Sequence, residues 1–229
     1  MAHGFILEKS IRAKDVDSLN KNVISIAVDS DTVIGDDIDG GYVFQLTKTK
    51  LSDLPANVGL TGSENGEVYR ISKPLTESSG DLDETTILAH ANGLAMAYNP
   101  EIKNLSFANK DYAGLSLDVR DYTNKAKKPF TAFMLKKGDL IEISADSLSG
   151  TYVASGDNAT NYLVPSDSSY KLTFSKTPNI VIAGDGDSTP DTEVACTCLE
   201  IIEVRSELFP QANVGNEYVT TYLCEVKAE

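Results

Sequence analysis

Tryptophan is missing from this chain of 229 residues, cysteine occurs three times and histidine twice. Each scarcity removes a class of chemistry. An odd cysteine count, with Cys196 and Cys198 in a C-x-C spacing, is no disulfide framework. Side chains two apart in a strand share a face, so the spacing predicts thiols buried as small apolar groups, Cys224 among them. His3 and His90 are the only imidazoles, and neither belongs to a nucleophile motif with serine or cysteine. Zinc would need paired Cys and His at spacings that are not there. No run approaches the roughly 18 apolar residues of a membrane-spanning helix. The opening MAHGFILEKS reads as no secretory leader, its one apolar patch being Phe5 to Leu7. A reducing site of synthesis follows, and the two N-x-S/T matches at Asn104 and Asn158 then stay unused.

Positive charge is also short. Twenty Lys and Arg stand against 34 Asp and Glu, a formal charge of −14. Binding a phosphate backbone requires clustered cations that displace counterions, and this balance opposes it. The field of the whole chain would repel nucleic acid on approach, so neither DNA nor RNA is an expected partner.

What the chain does contain is alternation. VISIAV at 23–28, YVFQL at 42–46, EVYRIS at 67–72, AFML at 132–135 and DLIEIS at 139–144 read as strands. So do YKLTF at 170–174, NIVIA at 179–183, EVACTCLEIIEV at 193–204 and EYVTTYLCEVK at 217–227. β-Branched and aromatic residues dominate these runs, and Gly, Asn, Asp, Ser and Pro bound them. LAHANGLAMAY at 88–98 is the best helix candidate, with LSDLP at 51–55 and SLSG after Asp146 as single turns. RSELFPQANVGN joins the last two strands as a loop, and GDNATNYLVPSDSS and AGDGDSTPDTE are further exposed loops. The expected fold is mainly β, a β-rich α+β arrangement of antiparallel strands and hairpins with one or two short helices. An extended N-terminal arm over 1–20 precedes a single β-rich body over 21–229.

Two acidic stretches are open to calcium: Asp185, Asp187, Asp191 and Glu193, and Asp29, Asp31, Asp36, Asp37 and Asp39. Neither has a helix-loop-helix frame, and acidic loops in an acidic chain are first of all solvated turns. The expectation is therefore no catalytic residue, no cofactor and no metal.

The stretch DYTNKAKKPFTAFMLKKGDLIEIS at 121–144 departs from the acidic background, with Lys125, Lys127, Lys128, Lys136 and Lys137. A lysine-rich loop leads into a strand, a Lys-Gly-Asp turn and a second strand. Gly138 supplies the permissive backbone such a turn needs. A basic patch on an acidic protein suits docking on acidic groups of a partner, against the alternative of a solvated loop. Phe5, Ile6 and Leu7 would add a strand to a partner's sheet edge.

Together with DIDGGYVFQLT at 37–47, GEVYRISKP at 66–74 and TTILAHANGLAMAYNP at 85–100, the stretch DYTNKAKKPFTAFMLKKGDLIEISADSLSG at 121–150 resembles tailed-bacteriophage head proteins. These are the decoration or cement proteins encoded beside the major capsid protein. Where that group's pattern has Ala-Gly-Lys-Pro, this chain has Ala126-Lys127-Lys128-Pro129, and Phe130-Thr131-Ala132 stands where an Arg often appears. The resemblance implies a non-enzymatic virion protein, made in the bacterial cytoplasm and bound to the outer capsid surface. Its partners would be the major capsid protein and further copies of itself, with no nucleic acid and no membrane. The alternatives are a phage tail, fibre or host-surface-binding module, and a small calcium-dependent hydrolase.

Overall fold

The computed structural model describes residues 3–7, 23–27, 38–50, 67–71, 94–99, 123–124, 130–166, 169–182, 192–211 and 215–227. Its strands are β1 (Val23–Ala27), β2 (Val43–Lys50), β3 (Glu67–Ile71), β4 (Leu94–Ala97), β5 (Phe130–Met134) and β6 (Leu140–Ser144). After a 3-10 turn at Ala145–Ser147 come β7 (Leu148–Ser149), β8 (Tyr162–Pro165), β9 (Leu172–Ser175) and β10 (Asn179–Ile182). The last three are β11 (Thr192–Ala195), β12 (Cys198–Gln211) and β13 (Gly215–Lys227). The fold is mainly β, and its sheets are largely antiparallel.

Strands β1 to β5 curl into a barrel in the order β1-β3-β2-β4-β5. Closure is narrow: β1 meets β3 in parallel through only Ile26↔Tyr69 and Ala27↔Arg70. A six-stranded sheet in the order β6-β13-β12-β8-β9-β7 lies beside it, and β10 and β11 form a separate hairpin. One hydrophobic cluster takes Val43, Met96 and Phe133 from the barrel and Ile141, Leu199 and Tyr222 from the sheet. Each large apolar side chain so buried contributes roughly 1.5–3 kcal/mol. Tyr152, Phe174 and Tyr222 stack at ring separations of 5.1–5.8 Å along its margin.

Several expectations are corrected, the loop at 156–169 among them, since Tyr162–Pro165 within it is β8. Leu94–Ala97, inside the stretch expected to be helical, is a strand buried at all four positions. It pairs with β2 and β5 at its edges, while Leu94 and Met96 pack into one hydrophobic cluster and Ala95 and Ala97 into another, so both faces are covered and the run reads as continuously apolar rather than alternating. The expected loop at 205–216 is mostly strand, because β12 and β13 stay in register from Glu203↔Leu223 to Gln211↔Gly215. Of the turn expected at SLSG after Asp146, only Ser147 lies in the 3-10 turn at Ala145–Ser147, and Leu148–Ser149 is β7. The candidate helix at 51–55 lies outside the described residues.

Candidate functional site

The anticipated N-terminal arm is the first feature to look different. His3 to Leu7 do not reach away from the body: Phe5 and Ile6 are almost fully buried and Leu7 nearly so. The segment pairs with β6 at Ile6↔Ile143, with the Ser144 N–H donating to Phe5 C=O at 2.9 Å and the Leu7 N–H to Glu142 C=O at 2.8 Å. Ser144 Oγ of β6 accepts from the Phe5 N–H at 2.9 Å, and side chains from the barrel margin take further backbone groups. Asn99 Oδ1 accepts from the Ile6 N–H at 2.9 Å while Asn99 Nδ2 donates to Ile6 C=O at 2.7 Å. Asp39 accepts from the Gly4 N–H at 2.9 Å and pairs with His3 Nδ1 at 2.9 Å. A Cβ on Gly4 would sit 2.4 Å from Ser147 Oγ and 2.7 Å from its backbone, so the residue has to be glycine. Phe5, Ile6 and Leu7, expected to add a strand to a partner, complete this chain's own sheet edge. The physical reason is that an apolar strand next to an unpaired edge buries itself where that edge is nearest.

The lysines divide. Lys125, Lys127 and Lys128 lie outside the described residues. Lys136 and Lys137 are exposed in the β5–β6 turn. Gly138 there has φ 91°, the left-handed backbone that glycine accepts without strain. That turn is tied to the end of β13, the Gly138 N–H donating to Val226 C=O at 2.8 Å and the Val226 N–H to Asp139 C=O at 2.9 Å.

At the opposite end of β13 lies the stretch whose composition predicts a loop. β8 pairs with β12 only at Leu199 and Glu200, and β6 pairs with β13 only from Thr221 to Glu225. Beyond those points, among the described residues, β12 and β13 continue as a two-stranded ribbon. A bulge between Ile201 and Glu203 shifts the register, so the row that is core at Leu199 and Ile201 continues as Val204, Ser206 and Leu208. Leu208 faces Tyr218 directly across the ribbon. Exposure is 52 % at Ile202, 41 % at Val204, 45 % at Leu208 and 71 % at Tyr218, the large apolar side chains left in solvent among the described residues. On the other face of the ribbon Val219 packs with Phe5 and Leu7.

The ribbon is anchored by a buried carboxylate. Glu142 is fully buried, accepting from Thr221 Oγ1 at 2.7 Å and pairing with Arg205 at 3.1 Å. Arg205 also holds Glu203 at 2.6 Å, and those two carboxylates keep its guanidinium pKa above the usual range, Glu203 foremost. Nearby Cys224 is buried, and burial raises its thiol pKa, with the Glu142 charge adding to the effect. Cys196, Cys198 and Cys224 are all buried and outside any disulfide.

Of the acidic stretches, Asp39 holds the His3–Gly4 segment and Glu193 accepts from Asn179 Nδ2 at 2.8 Å. The remaining carboxylates singled out for calcium lie outside the described residues. Among the described residues no three His, Cys, Asp or Glu gather as a metal site. His90 is outside them as well. No described helix is long and apolar enough to cross a membrane.

Comparison of the chain with protein-family models, with curated proteins and with solved structures gives no match. Fold and geometry therefore define the class: a mainly-β protein whose most prominent exposed feature is a two-stranded ribbon with an apolar row.

Proposed function

We propose that this chain is a structural, non-enzymatic virion protein: a capsid decoration or cement protein on the outer surface of a tailed-phage head. Its partner is the major capsid protein, and neighbouring copies meet on the shell. One observation carries the reading. The ribbon presents Val204, Leu208 and Tyr218 to solvent, while the buried carboxylate and thiols beneath it serve the chain's own packing. A two-stranded ribbon is marginal in water by itself, and an apolar row on it is a surface for another protein. The resemblance of residues 121–150 to phage head proteins names which kind of protein.

The mechanism is linkage. A protein that binds the assembled shell and not its separated subunits stabilises the shell in proportion to its occupancy. No chemistry is needed, and an acidic chain with no affinity for the packaged nucleic acid stays outside. The test uses heads assembled without this chain and mixed with the purified full-length protein. Co-sedimentation with the heads, and density on their outer surface in a reconstruction, are the expected results. Density in the tail would favour the tail or host-surface reading, and density inside the shell would end the proposal.

A further inference from the structure

The apolar row at one end of β13 has a charged counterpart at the other, the turn that carries Lys136 and Lys137. We infer that this turn is a second docking point, seating its two ammonium groups on Asp or Glu carboxylates at the surface of the partner protein. For the identity of that partner, the shell, the inference rests on the proposed function.

The turn stands apart from the other Lys and Arg side chains described, which are engaged within the chain. Lys171 Nζ donates to Asp146 C=O at 3.1 Å and lies 5.7 Å from the centre of the Tyr42 ring. Lys176 Nζ donates to Asn158 Oδ1. Arg205 pairs with Glu142 and Glu203, and Lys227 with Glu200 and Glu225 at 3.0 and 2.7 Å. Lys136 and Lys137 are exposed, and neither side chain has such a partner among the described residues. In a chain with 34 acids to 20 bases, adjacent cations left unpaired are the exception. The frame beneath them is fixed. The hydrogen bonds of Gly138 and Asp139 with Val226 fasten the turn to β13, and the Asp139 N–H closes it on Lys136 C=O at 3.0 Å. On the barrel side the Leu135 N–H donates to Leu94 C=O at 2.9 Å. The turn backbone is thus ordered before any partner arrives, and only the two side chains lose freedom on docking.

Charge chooses the occupant. Two phosphate contacts give a weak, salt-labile hold on nucleic acid, and the field of a chain of formal charge −14 opposes even that. An anionic membrane calls for clusters of about four to eight basic residues. A second copy paired about a two-fold axis at this turn sets lysine against lysine. One approaching head-to-tail brings a formal charge of −14 against its equal. Carboxylates set locally on a protein less acidic than this chain have the short-range attraction without that long-range cost, and they orient the approach turn first.

The experiment binds full-length chain to heads assembled without it, then adds a zero-length carbodiimide, which condenses a carboxylate and a touching lysine amine into an amide with loss of water. Peptide mass spectrometry should find Lys136 or Lys137 joined to an Asp or Glu of the shell protein. Lys136→Ala/Lys137→Ala should lose that product and bind heads about two- to thirtyfold more weakly, the range of two exposed ion pairs. Its unfolding midpoint should not move, because no lysine side chain holds the turn. Lys136→Arg/Lys137→Arg should keep the affinity and lose the product, since it retains the charge without the amine. Equal binding by wild type and the alanine variant overturns the inference, with or without a product, and leaves the proposed function standing. A product joining two copies of this chain overturns it by making the turn a contact between copies. Wild type that ignores heads overturns both the inference and the proposed function.

Discussion

Asn99 stands in for a neighbouring strand at Ile6, its amide matching both the N–H and the C=O of a backbone that has β6 on one side only. Asn99→Ala leaves both Ile6 groups buried without that partner. At about 1–3 kcal/mol for each orphaned group, the cost is on the order of 2–6 kcal/mol. The expected result is a lower denaturation midpoint in urea at an unchanged slope. Gly4→Ala meets the Ser147 backbone and is expected to cost about 1–3 kcal/mol by overpacking.

Tyr170 belongs to the same scale. Burial pushes its phenol up to about 12 from 10.0. The neutral form is the one the folded state favours, so the associated stability is fully present below pH 10 and is lost as pH rises towards 12. Ultraviolet absorbance should show Tyr170 among the late-ionising tyrosines, with Tyr222 also raised by burial, and Tyr170→Phe should reduce that late amplitude.

At the scale of elements, the ribbon and the N-terminal segment answer the same problem differently. The segment covers the β6 edge and packs Phe5 and Leu7 on Val219, so one ribbon face is closed from within the chain. The other face is left to solvent. Leu208→Ser/Tyr218→Ser should therefore change the unfolding free energy by no more than about 0.5 kcal/mol, the ordinary range for exposed positions. Thermal unfolding of the double variant checks this, and a large loss would mean the row packs within the chain. The lysine turn and the ribbon tip are separate surfaces. Val226 and Tyr218 are eight residues apart along β13, or about 27 Å at strand rise.

At the scale of the whole molecule, the barrel and the six-stranded sheet share one hydrophobic cluster, and the buried segment at 3–7 is hydrogen-bonded to both. Such a body can transmit load between the surfaces it touches, which is what a cement protein requires. If it binds only the assembled shell, saturating chain at about a thousand times its dissociation constant stabilises each site by about 4 kcal/mol. Calorimetry of heads with and without the chain should show the shell transition moved upward. An unmoved transition at full occupancy would mean decoration without reinforcement.

Much of the β character was legible in the residues themselves. Period-two alternation in EVYRIS, DLIEIS and EYVTTYLCEVK predicts strand from local pattern alone, although β6 is buried on both faces, Glu142 and Ser144 included. The three thiols are buried as expected, but Cys196 lies between β11 and β12 and Thr197 beside it is buried too, so alternation is not the reason there. The places where local reading failed are those where the environment is not local. Leu94–Ala97 is apolar on both faces and favours helix by composition, and only its neighbours β2 and β5 make it a strand. RSELFPQANVGN holds turn residues, yet its described residues, 205–211 and 215–216, are strand, because pairing between the two strands carries the register through. Phe5–Leu7 has the sequence of an arm. Whether an apolar strand covers its own chain's edge or a partner's depends on which open edge lies within reach, and sequence does not contain that distance. The apolar row on the ribbon was hidden for the same reason: its periodicity is that of any half-buried strand, and only the ends of β6 and β8 determine where the cover stops.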